Sequence, residues 1–167
     1  MKLKNLLLII PAMVCTEAIG DIPINGTVES KCTIVTDTDG FYGNPTGDRL
    51  STTPADGGVV PIIRYDIITA SAYKAILTTP SSFSSSPTLD DTVDWTSSTS
   101  VGQTSDALMS AFETGKVVYN NSHTTEFDLS VAGSVWFNVS SVADYGYGKS
   151  FPAGSYTALI TAECVAQ

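Results

Sequence analysis

The chain has 167 residues, 43% of them hydrophobic and 15% charged, which supplies apolar material for one core and is too much for a disordered protein. Eight basic residues against seventeen acidic ones give a formal net charge of −9. The basic residues are scattered, and phosphate binding needs clustered Lys and Arg, so the composition argues against nucleic acid and anionic membranes as partners.

Residues 1–20 read as a secretory signal peptide. Lys2 and Lys4 form a positive start, residues 6–15 are an apolar run too short to span a bilayer, and Ala18-Ile19-Gly20 fits a small-x-small cleavage site. A single domain, 21–167, follows. Cleavage removes Cys15 and leaves Cys32 and Cys164. Two thiols in a secreted chain most simply form one disulfide, which the loop-closure model values at about 4–5 kcal/mol for a loop of nearly the whole domain. Two cysteines and one histidine supply too few ligands for a zinc site.

Residues 21–35 alternate. Ile22, Ile24, Gly26, Val28, Ser30, Cys32 and Ile34 share one face, and Pro23, Asn25, Thr27, Glu29, Lys31 and Thr33 the other. Residues 36–58 are rich in Gly, Pro, Asp and Thr and predict a long loop. Asp37, Asp39, Asn44 and Asp48 are oxygen donors within it, but their spacing departs from an EF-hand, and Asx-rich turns account for them better than calcium. Residues 59–69 predict a buried strand, with Pro61 forcing a bulge or an edge position. Residues 72–79 predict its hairpin partner.

A Ser/Thr/Asp-rich stretch, 80–100, contains a candidate short strand at 92–96. Residues 105–114 are the only helix-like piece, with Ser105 as cap and Leu108, Met109 and Phe112 facing inward. Strands follow at 116–120, 125–131 and 134–140, separated by the turn signals Asn120-Asn121 and Ala132-Gly133. Residues 143–149 predict an aromatic, glycine-containing loop. Pro152 and Gly154 then open a last strand, with Tyr156, Ala158, Ile160, Ala162, Cys164 and Ala166 on one face. Seven or so short strands behind a signal peptide predict an all-β chain: an immunoglobulin-like antiparallel β-sandwich, either closed or lacking a strand that exchange between chains supplies. A terminal strand with no helix or tail after it leaves an edge open to pairing.

The chemical inventory is thin. His123 lies alone in a polar turn, and no nucleophile elbow, phosphate loop, HExxH or dinucleotide fingerprint occurs. Asp90 and Asp91 are adjacent, and adjacent strand residues point opposite ways, so they do not form a glycosidase pair by themselves. No enzyme activity, cofactor or metal is expected. Trp95, Tyr145 and Tyr147 are candidates for stacking on a ligand; Trp136, flanked by Val135 and Phe137, is assigned to the core. Asn25, Asn120 and Asn138 head Asn-x-Ser/Thr sequons.

The signal peptide, the Ile22–Val28 alternation, the nearby Cys32 and the terminal Pro152-Ala153-Gly154-Ser155-Tyr156 strand together resemble subunits of chaperone–usher fimbriae, the pilin family. The resemblance implies an incomplete immunoglobulin-like sandwich, filled first by a periplasmic chaperone and then, at the outer-membrane usher, by the N-terminal extension of an identical or related subunit. It implies donor-strand roles for Ile22, Ile24, Gly26 and Val28 within 21–28, acceptor-groove roles for Tyr156, Ile160 and Ala162, and export through the periplasm to the cell surface, where adhesion to a host or environmental surface is open to it. Two strands flanking an empty slot lie about 9–10 Å apart, whereas a disulfide needs Cα atoms within about 7 Å. A Cys32–Cys164 bond therefore belongs at a closed end of the slot or across the two sheets. The alternative is a self-contained secreted module that binds carbohydrate or a surface.

Overall fold

The computed structural model of the protein describes residues 26–27, 31–69 and 72–167. The signal segment 1–20 and the donor positions Ile22, Ile24 and Val28 lie outside the described residues. The elements are β1 (Cys32–Thr38), β2 (Gly43–Thr46), β3 (Arg49–Ser51), β4 (Ile62–Ile67), β5 (Tyr73–Thr78), β6 (Val93–Thr104), α1 (Ala111–Gly115), β7 (Val117–Tyr119), β8 (Thr124–Leu129), β9 (Gly133–Tyr145) and β10 (Thr161–Ala166). They form an antiparallel β-sandwich, the fold class that the alternation predicts.

Strand β9 organises the larger sheet. One of its edges carries β6 from Val93↔Tyr145 to Thr104↔Val135. Its other edge carries β4 beside residues 133–138 and β3 beside residues 142–144. Strand β1 continues the sheet beyond β4, and β2 beyond β3. The smaller sheet runs β10-β5-β8-β7. Period-two burial on each strand gives the core: Ile63, Tyr65 and Ile67 from β4, Tyr73, Ala75 and Leu77 from β5, Phe127 and Leu129 from β8, and Val135, Phe137 and Val139 from β9.

Several expectations are corrected. β4 and β5 are not hairpin partners. β4 pairs with β1 and β9, while β5 pairs with β10 and β8, so the two strands lie in different sheets. Two alternating strands joined by a short link look the same in sequence whether they meet edge to edge or face to face. The expected loop at 36–58 holds the end of β1 and the β2–β3 hairpin, whose strands of four and three residues are too short to show an alternation. The short strand at 92–96 is part of the twelve-residue β6. The loop at 143–149 starts three residues late, since Ala143, Asp144 and Tyr145 continue β9.

The helical piece is shorter than its pattern. Residues Ala107–Ser110 form a 3-10 turn capped by Asp106, whose carboxylate accepts the Leu108 N–H at 2.8 Å. Ser105 instead accepts the Ser134 N–H at 2.7 Å. Met109 and Phe112 are buried, but Leu108 is exposed. One turn of 3-10 followed by one of α-helix cannot hold the three apolar residues Leu108, Met109 and Phe112 on a single face.

Candidate functional site

A sandwich of two open sheets has two lateral seams. Here they differ in chemistry. The first lies between β1, the margin of the larger sheet, and β10, the margin of the smaller one. Cys32 and Cys164 form a disulfide across it with Cα atoms 6.4 Å apart. That bond joins the two sheets, and 6.4 Å is too close for a further strand between β1 and β10 at this end. A disulfide enclosing most of the domain is characteristic of chains folded in an oxidising compartment. Beside it, the Tyr65 hydroxyl donates to the Glu163 carbonyl at 3.1 Å. Burial, and then the Glu163 carboxylate, push the Tyr65 hydroxyl pKa far up, so it stays a donor at any ordinary pH.

Away from the disulfide the seam is uncovered. Inward positions of β4, β5, β8 and β9 are buried, but those of β1 and β10 are not: Ile34, Ile160, Ala162 and the two cysteines are half-buried, and Thr36 is exposed. β10 pairs with β5 alone among the described strands, and the Gln167 N–H reaches the Ala72 carbonyl at 2.9 Å. In an antiparallel ladder this parity sends the backbone groups of Ala162 and Cys164 toward the seam. The opening continues as a groove of about 540 Å³ lined by Tyr42, Leu50, Tyr156 and Ala158. A smaller hollow of about 100 Å³ follows, with Pro61, Pro80 and Ile160 in its wall. The three expected groove residues therefore lie along one seam, with Tyr156 held by its hydroxyl donating to the Pro152 carbonyl at 2.7 Å. Gly26, the one expected donor residue described, is exposed, and a Cβ built on it meets nothing within 4 Å.

The second seam lies between β6 and β7. At the disulfide end it is closed by the helical segment, with Met109 and Phe112 inserted. The Glu113 carboxylate accepts the Val101 N–H at 2.8 Å and pairs with Lys116, whose ammonium donates to the Thr99 carbonyl at 2.9 Å. At the other end a cleft of about 260 Å³ remains, lined by Trp95, Ser97 and Thr99 of β6, Val118 and Tyr119 of β7, and Asn120 and His123 of the following turn. His123 has a φ of 52°. Its carbonyl accepts from the Thr79 N–H at 2.8 Å and from the Thr79 hydroxyl at 3.1 Å. The Thr79 hydroxyl also bonds Ser97. Thr99 is 3% exposed, and its Oγ1 is the one buried side-chain oxygen without a hydrogen-bond partner among the described residues.

An aromatic cluster joins the open ends of both seams. Phe83 meets Trp95 at 4.8 Å, Tyr156 at 5.1 Å, Phe151 at 6.0 Å and Tyr42 at 6.4 Å between ring centroids. Tyr145 stacks on Phe151 at 5.0 Å. Tyr145, expected at the surface, is therefore a core residue, 4% exposed. Its hydroxyl donates to the Asp90 carboxylate and accepts the Asp90 N–H at 2.9 Å. Asp90 and Asp91 do not diverge. They lie in a loop, and both reach the Lys149 ammonium at 3.2 Å. The Tyr145 hydroxyl and then Lys149 lower the Asp90 pKa; the Thr92 N–H and then Lys149 lower that of Asp91.

The other stacking candidates separate. Tyr147 is fully exposed. Trp95 is half-buried, with Phe83 against it on one side and the cleft on the other. Trp136 is not in the core: it lies half-buried on the outer face of β9 with the Arg64 guanidinium 5.9 Å from its ring centroid. Flanking core residues on a strand put a side chain on the opposite face. Among the expected oxygen donors, Asp37 pairs with Arg64 at 3.2 Å, and the Asn44 amide donates to the Thr46 and Arg49 carbonyls. No group of three His, Cys, Asp or Glu among the described residues is placed to hold a metal.

Sequence reasoning missed Phe83, Phe151, Ser97 and Thr99. A lone Phe in a Ser/Pro loop was a usable signal for Phe83; Ser97 and Thr99 gave none, because polar residues occupy both faces of β6. Compared with protein-family models, curated proteins and solved structures, the chain matches none.

Proposed function

We propose that the chain is a structural subunit of a bacterial surface fimbria, assembled by donation of an N-terminal strand between copies or related subunits. The observation that supports it is the uncovered seam: inward side chains of β1 and β10 stay half-exposed while those of β4, β5, β8 and β9 are buried. The occupant argued for is residues 21–28 of another subunit. Ile22, Ile24 and Val28 present apolar side chains on alternate positions, as a groove lined by Tyr156, Ile160 and Ala162 requires. Donor Ile22 to Val28 and groove Tyr156 to Ala162 each span six residue steps, or about 20 Å of strand. The disulfide fixes where the insertion stops, since no strand fits between Cys32 and Cys164.

The chain's own N-terminus is the worse occupant. β1 begins at the closed end of the seam, so filling its own groove would require the chain to reverse within the few residues before Cys32. In this reading a periplasmic chaperone covers the groove before assembly, an outer-membrane usher oversees exchange, and the filament lies at the cell surface. Burying two isoleucines and a valine contributes roughly 5–8 kcal/mol before ordering costs, at about 1.5–3 kcal/mol per side chain.

The experiment compares wild type with Ile24→Asp on SDS gels without boiling. A charge in the apolar groove carries a heavy desolvation penalty, so the variant should be exported, form its disulfide and give no ladder. Equal ladders, or a wild type that stays strictly monomeric at high concentration, would sink the reading and leave a self-contained surface-binding module.

A further inference from the structure

We propose that the cleft between β6 and β7 is a binding site for one ring of a neutral saccharide. The inference is independent of strand exchange, because the cleft lies on the opposite seam from the donor groove. Three observations carry it.

First, apart from the Val118 side chain and the His123 imidazole, the lining holds hydroxyl, amide and aromatic groups, and it contains no Asp, Glu, Lys or Arg. A charged ligand would lose hydration there with no carboxylate, ammonium or guanidinium in the lining to replace it. A polyhydroxylated ring matches the lining: its hydroxyls meet Ser97, Thr99 and Asn120, and its C–H face meets an aromatic. Second, the floor is incompletely bonded. Thr99 is almost wholly buried, yet its hydroxyl has no partner. An unpaired buried hydroxyl costs stability unless something else satisfies it, and a ligand hydroxyl seated on this floor is a partner of the right kind. Third, the size fits. At about 260 Å³ the cleft is just below the roughly 300–1,000 Å³ range of drug-sized sites. It continues past Tyr119 into a shallow hollow formed by Asn120, Asn121 and Ser122. One ring is held, and a longer glycan leaves across Tyr119, which stands 46% exposed at the rim.

The frame around the cleft is fixed before any ligand arrives. The Thr79–Ser97 and Thr79–His123 bonds tie its two sides together, and Lys116 holds the Thr99 backbone from beneath. A preformed site loses less entropy on binding than one that must order itself.

The test uses the full exported chain, made in a bacterial host so that Asn120 stays unglycosylated. Trp136→Phe leaves Trp95 as the only tryptophan, and its fluorescence reports on the cleft. The probes are methyl glycosides of mannose, galactose and glucose, together with N-acetylglucosamine, at concentrations up to tens of millimolar; glucuronate and glucosamine are the charged controls. The expected result is a saturable change with at least one neutral sugar, and weaker or no response to the charged rings. Tyr119→Ala should weaken binding about tenfold by removing the aromatic rim. Thr99→Val should weaken it about three- to tenfold, the equivalent of one hydrogen bond, without lowering the melting temperature. No saturable change with any neutral sugar, binding that survives both variants, or preferential binding of a charged ring or an extended peptide would overturn the proposal. Thr99→Val keeps the test valid even where Tyr119→Ala folds poorly, since it removes only a hydroxyl.

Discussion

The two seams of the sandwich are closed at the same end by different means and left open at the other end with different linings. At the β1–β10 seam the closure is covalent, and the open part is apolar: Ile34, Tyr156, Ile160 and Ala162. At the β6–β7 seam the closure is a helical plug carrying Met109 and Phe112, and the open part is rich in hydroxyls, with Thr79, Ser97 and Thr99 beside Trp95, Tyr119 and His123. Both openings expose backbone edges, but a strand gains stability from an edge only where its alternate side chains find apolar pockets. The lining therefore decides the occupant. The apolar seam suits another strand, while the polar seam would leave such a strand's apolar side chains against hydroxyls and suits a ligand that brings hydroxyls of its own.

The covalent closure is the largest effect to break. Replacing Cys32 and Cys164 together with Ala should lower unfolding stability by about 2–5 kcal/mol, because the bond closes a loop of 132 residues. Urea unfolding measures it. A loss below about 1 kcal/mol would mean that the Tyr65–Glu163 bond and the aromatic cluster already hold β10 in place, and the contrast between the seams would weaken. The helical plug comes next. Met109 is wholly buried beside Gly133, so Met109→Ala should cost about 2–4 kcal/mol through lost burial and a cavity. On the strand-exchange reading it should leave the SDS ladder intact, since Met109 lies away from the donor groove. A ladder lost along with Met109 would mean that the two seams are coupled.

The sequence carried one seam far better than the other, and the reason is physical. The last strand is shorter than its pattern, since β10 begins at Thr161, yet Tyr156, Ile160, Ala162 and Cys164 still line one seam as their spacing predicts. Strand β6 runs Asp94-Trp95-Thr96-Ser97-Ser98-Thr99, where hydroxyls face both in and out, and alternation without contrast cannot be read. Tyr145 and Trp136 failed for a related reason. Whether an aromatic is core or surface depends on the parity of the strand that holds it, and the parity of β9 is set by partners more than sixty residues away, at Ile63 and Leu50. Sheet assignment of β4 and β5 was hidden likewise, because a five-residue link does not state whether its strands share a sheet.

The smallest effect sharpens the comparison at the aromatic end, where the two openings meet. Asp90 anchors the Tyr145 hydroxyl, Tyr145 stacks on Phe151, and Phe83 connects Phe151 to both Trp95 and Tyr156. The Asp90 pKa is lowered in the folded state, first by Tyr145 and then by Lys149. A carboxylate whose folded pKa lies below its unfolded value stabilises the fold above the ordinary carboxylate pKa of about 3.9, and that contribution fades as pH falls through the folded pKa. Asp90→Asn should therefore melt slightly below wild type at neutral pH, with the gap closing as the pH falls beneath the ordinary carboxylate range and through the lowered folded pKa. The Asp90 side chain is 79% exposed, so the gap should be small, and added salt should shrink the part due to Lys149. A gap that persists in acid would assign the effect to the geometry of the Tyr145 bond instead of to charge. In that case Asp90 holds the aromatic cluster as a packing element, and its loss should also change Trp95 fluorescence in the unliganded protein, whereas a charge effect alone leaves that signal unmoved.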